Sequence, residues 1–192
     1  MEKKDKLFRI ADQQLGYFTT RQAETAGFTR SNFYLKIQKG EWIKELRGIY
    51  RLARYPVIDR AELALWTLWS CDNKGIPQGV WSHETALDIH ELSDLMPAKM
   101  HMTVLLNFRR RSEIPKCLHL HFANISKSDI EMRQGYKVTT PLRSLIDVIE
   151  EKTVSKEQII LALNQALQKG LILQKEVQQL PQFLEYKNEC NF

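Results

Sequence analysis

Leu7, Phe8, Ile10 and Ala11 recur at i, i+3, i+4 spacing, which predicts a short amphipathic helix over residues 4–14, ended by Gly16. Thr19 and Thr20 are capping hydroxyls ahead of a helical turn over residues 21–26, and Gly27 suits the left-handed conformation of a tight helix junction. After Phe28, Thr29 can cap a second short helix over residues 30–39, stopped by Gly40. The pattern then changes. Trp42 to Leu52 is rich in β-branched and aromatic residues, with Gly48 where the chain can bend, and predicts a small β-hairpin. Three helices, the last pair joined by a tight turn, followed by a hairpin, is the order of a winged helix-turn-helix.

Tyr55-Pro56 breaks this pattern, and a domain boundary is expected there, separating residues 1–57 from residues 58–192. Asp59 can cap a helix over residues 60–71 carrying Leu63, Trp66, Leu68 and Trp69, a stripe that reads as core or as an inter-domain contact rather than a base-stacking site. A Gly/Pro-bearing loop, residues 74–79, leads to Ser82 as cap of a helix through Ala86, Leu87 and His90. Met100, Met102 and Val104 alternate with His101, Thr103 and Leu105, and Leu118, Leu120 and Phe122 alternate with Cys117, His119 and His121. Period two predicts a pair of strands, joined by the polar connection around Arg109-Arg110-Arg111. Residues 135–139 are a third strand candidate, and Thr140-Pro141 opens a helix over residues 142–150. Ser155 caps another, with Ile159, Ile160, Leu163, Ala166 and Leu167 on one face and Gly170 at its end; a last stretch over 174–184 is interrupted by Pro181. The expected fold class is α+β: an N-terminal winged helix-turn-helix followed by a mixed α+β domain.

Composition narrows the class. A chain of 192 residues with 43% apolar and 27% charged residues and mean hydropathy −0.39 has the makings of packed cores and is not disordered throughout. No apolar run approaches about 18 residues, and the opening MEKKDKLFRIADQQ lacks a secretory apolar stretch, so a soluble cytoplasmic protein without membrane contact is expected. Cys71, Cys117 and Cys190 show no Cys-x-x-Cys spacing and are read as reduced thiols. The net charge of +5 is unevenly placed. Residues 1–58 hold 12 Lys and Arg against 6 Asp and Glu, a net +6; residues 59–140 hold 10 of each; residues 141–192 hold 6 against 7. A basic module joined to one without excess charge suggests a domain that meets a polyanion, because neutralising phosphates releases condensed counterions.

With residues 30–39 as the reader helix, Phe33 and Ile37 mark the buried stripe, and Ser31, Asn32, Leu35 and Gln38 fall on the other side as candidate base readers. Asn and Gln can pair bidentately with adenine, Ser can donate or accept, and an exposed Leu can touch a thymine methyl. Thr29, Arg30, Tyr34, Lys36, Lys39, Lys44, Arg47 and Arg51 are the candidate phosphate contacts. The competing reading is a helix that only packs against a partner.

Enzyme chemistry finds less support. The acid–lysine pairs Glu113 with Lys116 and Glu150 with Lys152 have no upstream acid at nuclease spacing. His119 and His121 share a strand face, with His101 on the partner strand, but Cys117 is the only further ligand type in view; they read as a half-buried sheet face rather than a zinc site. His83-Glu84 fails as a His-Glu-x-x-His helix because Leu87 occupies the second histidine's place. Neither a phosphate loop nor a nucleophile elbow is present. The expectation is therefore no catalytic residues, no cofactor and no metal. Arg109-Arg110-Arg111 reads as a solvated turn or a polyanion contact.

These residues also form a recognisable series. Gly16-Tyr17-Phe18-Thr19-Thr20-Arg21-Gln22-Ala23, Gly27-Phe28-Thr29-Arg30-Ser31-Asn32, Lys39-Gly40-Glu41-Trp42-Ile43 and Arg47-Gly48-Ile49-Tyr50-Arg51-Leu52 resemble the AbiE-type antitoxin family, the antitoxin half of type IV toxin-antitoxin pairs linked to abortive phage infection. The resemblance continues through Ser82-His83-Glu84-Thr85-Ala86-Leu87, Pro97-Ala98-Lys99-Met100-His101-Met102-Thr103-Val104 and Val138-Thr139-Thr140-Pro141-Leu142-Arg143-Ser144-Leu145-Ile146-Asp147. It implies a winged-helix repressor binding inverted repeats in its own promoter, and a C-terminal domain opposing a nucleotidyltransferase-like toxin without a stable complex. Arg110 and Arg143 are the candidate antitoxin surface. The alternative within the resemblance is a stand-alone winged-helix regulator with a C-terminal sensor or interaction domain.

Overall fold

The structure, a computed structural model, describes residues 2–92, 94, 96–110 and 112–186. Arg111 and Cys190 lie outside the described residues. Packing divides the chain into two compact units, Met1–Gly79 with Met132–Tyr136, and Val80–Glu131 with Lys137–Phe192.

The first unit begins with α1 (Lys3–Asp12), β1 (Tyr17–Thr19) and α2 (Thr20–Thr25). Thr19 closes a capping box, accepting from the Gln22 N–H while the Gln22 side chain accepts from the Thr19 N–H. A 3₁₀ turn, Arg30–Asn32, runs into α3 (Phe33–Gln38), so the second short helix starts tighter than its periodicity suggests. Thr29 occupies the cap position without capping a backbone N–H; its hydroxyl lies 3.1 Å from that of Ser31. The hairpin follows as β2 (Trp42–Leu46) and β3 (Ile49–Leu52), with a register shift between Lys44 and Leu46. Its order is β1-β3-β2, antiparallel throughout, with Phe18 opposite Tyr50 and Trp42 opposite Leu52. β1 was not legible in the sequence.

Trp42 is the hub of this unit. Its indole meets Phe18, Phe28 and Phe33 edge-on at ring-centre distances of 4.9, 5.1 and 5.1 Å, and α1 closes the core with Leu7 and Ala11. This arrangement fixes α3, because Phe33 is its one fully buried residue. α4 (Glu62–Trp69) packs on β1 and β3 in the same unit, so the chain beyond Pro56 continues the first unit to Gly79. Its N-cap is Ala61, not Asp59. Trp66 and Trp69 make a T-shaped pair 6.5 Å apart.

The second unit contains β4 (Val80–Trp81), α5 (His83–Ile89), β5 (Met100–Val104), β6 (Leu118–Phe122), β7 (Ile130–Arg133), β8 (Tyr136–Thr139), α6 (Pro141–Glu151), α7 (Lys156–Gln168) and α8 (Gln174–Gln179), then a 3₁₀ turn at Pro181–Phe183. The sheet order is β6-β5-β4-β8-β7. The two alternating segments do pair, and they pair parallel, with His101 opposite His119 and Thr103 opposite His121. A parallel pair needs a crossover rather than a tight turn, which the connection holding Arg109 and Arg110 provides. Thr140 caps α6 by accepting from the Arg143 N–H, with Pro141 in the first turn. The helical core comprises Leu87, Leu92, Leu145, Val148, Leu163, Ala166, Val177 and Phe183 among others.

Candidate nucleic-acid interface

α3 and the 3₁₀ turn before it show solvent the face that the sequence assigns. Ser31, Asn32, Leu35 and Gln38 are all exposed, Leu35 to 49%, while Phe33 is buried under them. An apolar side chain half open to water on a polar helix face suits contact with a thymine methyl. Gln38 donates to the Tyr34 hydroxyl at 2.6 Å, one turn back along the same face. Thr29, Arg30, Tyr34, Lys39, Lys44 and Arg47 are also exposed, placing cations along α3, on β2 and at the hairpin tip.

Three candidate phosphate contacts are engaged elsewhere. Lys36 is partly buried, bonds Glu41 at 2.8 Å and lies 5.8 Å from the Phe28 ring centre. Arg51 bonds Glu45 across the hairpin at 2.8 Å, and Arg30 pairs with Glu24 on α2. The cation on Arg30 is three-quarters exposed, so its pairing is a surface one, worth little and readily exchanged for a phosphate. Lys36 and Arg51 are better understood as fastening the end of α3 and the two wing strands.

In the second unit Arg143 makes an i, i+4 pair with Asp147, its Nε and Nη2 both donating to Oδ1 at 2.7 Å, with Asp147 buried. This is a structural bond within α6. Burial pushes the Asp147 carboxyl up to about 6, outweighing the nearby guanidinium. Arg109 and Arg110 are exposed on the crossover. Glu113 and Lys116 are exposed on the same connection, and Glu150 accepts from Gln182 at 3.0 Å. Cys71 and Cys117 are thiols.

The histidines do converge. His101 Nδ1 and His121 Nε2 lie 3.0 Å apart, His101 Nε2 lies 2.8 Å from Glu84 Oε2, and His121 Nδ1 lies 2.9 Å from Glu151 Oε1. His83 stacks on His121 at 3.6 Å and brings its Nε2 within 3.3 Å of the same Glu151 oxygen. His119 is exposed and stands outside this chain, stacked on His101 at 5.0 Å. Burial, with the neighbouring imidazoles adding to it, pulls His83 down to about 3. Burial also lowers His121, and the His101 hydrogen bond lowers Glu84. The strand alternation exposed His101 and His121; the missed members were His83, Glu84 and Glu151. Ser82-His83-Glu84 was visible as a motif, but only the fold brings it beside β6 and the end of α6.

Residues 5–53 match the family described as transcriptional regulator, AbiEi antitoxin. The AbiE-type resemblance therefore stands, on residues 5–53. No curated protein matches the chain. Among solved structures it is similar to the RV2827C protein from Mycobacterium tuberculosis, at 11% identity and a TM-score of 0.48, over 84% of this chain and 71% of that one.

Proposed function

We propose that this chain is the DNA-binding antitoxin of a type IV toxin-antitoxin pair, which represses its own operon from an inverted-repeat operator and counteracts a nucleotidyltransferase-like toxin without a stable complex. The observation that carries the reading is the exposed Ser31-Asn32-Leu35-Gln38 face, held over the Trp42 core, within the stretch that matches the regulator family. On this reading that face reads base edges in the major groove. Thr29, Arg30, Tyr34, Lys39, Lys44 and Arg47 hold phosphates on either side, and Lys36 and Arg51 support them. Among the described residues no helix is long and apolar enough to cross a membrane, which accords with a regulator acting in the cytoplasm.

The test is a titration of the chain's own promoter fragment, followed by fluorescence anisotropy at several salt concentrations. Each phosphate contact contributes roughly −0.9 to the slope of log affinity against log salt, so a steep negative slope is expected. Absence of binding, or binding indifferent to salt, overturns the reading. Co-expression with the adjacent reading frame then separates the antitoxin from the stand-alone regulator: operator binding without relief of toxicity supports the latter.

A further inference from the structure

The geometry points to a divalent transition-metal site in the second unit, with His83 Nε2, His121 Nδ1 and Glu151 Oε1 as its protein ligands and zinc as the ion that suits them best. This inference is independent of the DNA-binding reading.

The first argument is a count of protons. Glu84, His101, His121 and Glu151 form a chain with three close contacts, at 2.8, 3.0 and 2.9 Å. Each contact needs a cation or a hydrogen between two lone-pair-bearing atoms. Two neutral imidazoles contribute one N–H each, and two carboxylates contribute none. One contact is therefore left as lone pair against lone pair unless a further positive centre enters. A third proton on His121 would complete the series, and so does a metal ion at the Glu151 end, which the convergence and backbone arguments favour. His101 Nε2–H then donates to Glu84, His121 Nε2–H donates to His101 Nδ1, and His121 Nδ1 is left as a ligand. This carboxylate–histidine relay is how protein metal sites fix the tautomer of a ligating imidazole.

The second argument is convergence. His83, His121 and Glu151 present ligand atoms that all lie within 4.8 Å of one another. Around a tetrahedral zinc, ligand atoms about 2.0–2.1 Å from the ion are separated by roughly 3.3 Å. The Glu151 oxygen already lies 3.3 Å from His83 and 2.9 Å from His121. Two nitrogens and one carboxylate oxygen form a donor set for a borderline ion, and the partly exposed Glu151 leaves a fourth position open to water. The two stacked rings have to splay for each lone pair to meet the ion in its ring plane.

The third argument is the backbone. His83 is a buried non-glycine residue at φ +54°, in the left-handed region, and it opens α5 directly after the buried Ser82. Its Nδ1 lies 2.9 Å from the Ser82 hydroxyl, which also accepts from Thr103 at 2.7 Å. A strained residue whose ring is anchored on one nitrogen is oriented for a task with the other. Such an ion would tie the start of α5, strand β6 and the end of α6 to one point.

The test uses the full chain, stripped with chelator and dialysed, then titrated with zinc alone by calorimetry and with cobalt(II) alone by absorption. One ion per chain is expected, with visible d–d bands of a low-coordinate cobalt site lacking sulfur. Glu151→Gln, at a partly exposed position the fold tolerates, should abolish the bands. Glu84→Gln, which removes a positioning residue, should weaken binding by about 10–100-fold. His119→Ala should change neither stoichiometry nor spectrum. Circular dichroism in chelator reports whether each variant folds. Failure of the folded wild type to take up zinc or cobalt overturns the proposal. So does a sulfur-to-cobalt charge-transfer band, which would put the ion on a cysteine, or Glu151→Gln binding as tightly as the wild type.

Discussion

Asn32 ends the 3₁₀ turn that leads into α3, exposed on the reader face, whereas Arg47 sits at the exposed tip of the β2–β3 hairpin. On the proposed reading their chemistry differs in kind: the amide pairs with an adenine edge, and the guanidinium at the wing tip meets phosphate, which is the same at every step of the duplex. Asn32→Ala should therefore cost about 1–3 kcal/mol on the operator and far less on random duplex, while Arg47→Ala should weaken both alike. Competition between the two duplexes measures the difference, and equal losses for Asn32→Ala would assign that side chain to the backbone. Asp147 gives a residue-scale prediction about stability. Its folded pKa, about 6, lies above the ordinary carboxylate value of 3.8, because burial disfavours the ionised form. Between those values the folded state holds the proton that the unfolded state has released, so stability falls as pH rises through the window. Relative to Asp147→Asn, the wild type should lose up to about 3 kcal/mol between pH 4 and pH 7 in urea unfolding. A gap independent of pH would rule this out.

Helix starts were legible where a side chain does the capping. Thr19 with Gln22, Thr140 with the Arg143 N–H, and Ser155 with the Gln158 N–H all bond as their sequence positions suggest. Thr29 does not, since its hydroxyl turns to Ser31 and the 3₁₀ turn leaves it nothing to cap. Thr19→Ala should accordingly cost about 1 kcal/mol, and Thr29→Ala only a few tenths, in thermal or urea unfolding; comparable losses would mean that Thr29 caps in solution. β1 and β4, of three and two residues, were not legible, because period two needs a longer run before it stands out from chance, and neither was β7, although β3 and β8 of the same four-residue length were. They are set by pairing with distant strands, β1 by β3 and β4 by β5 and β8. The same limit hid the histidine cluster. Alternation put His119 and His121 on one face, but only the parallel register with β5 and the approach of α5 and α6 select His121 and leave His119 outside.

At the scale of the whole chain, the proposed function divides its labour along charge and fold. The net +6 of residues 1–58 lies in the stretch that carries α3 and the β2–β3 hairpin, whereas residues 59–192 carry 16 cations against 17 anions and have little electrostatic reason to hold DNA. The second unit nevertheless has a helical core of its own around Leu87, Leu145, Leu163 and Phe183. Repression and protection from a toxin should then separate by mutation. Lys44→Ala with Arg47→Ala removes two exposed wing cations while leaving the Lys36–Glu41 and Arg51–Glu45 pairs that fasten the domain. The double variant should bind the promoter markedly more weakly, with the salt slope shallower by roughly two phosphate contacts. Expressed from an independent promoter, it should still protect cells. Arg110→Ala, on the exposed crossover of the second unit, should bind the promoter normally and protect less. Arg143→Ala is the weaker probe of that surface, since it also breaks the bond to the buried Asp147 and is expected to lower stability. Anisotropy on the promoter, survival on toxin induction and circular dichroism on each purified variant decide together. Should the wing variant remain folded and abundant, bind DNA weakly and lose protection in proportion, the antitoxic effect would have to run through nucleic acid, and assigning the two activities to separate parts of the chain would be wrong.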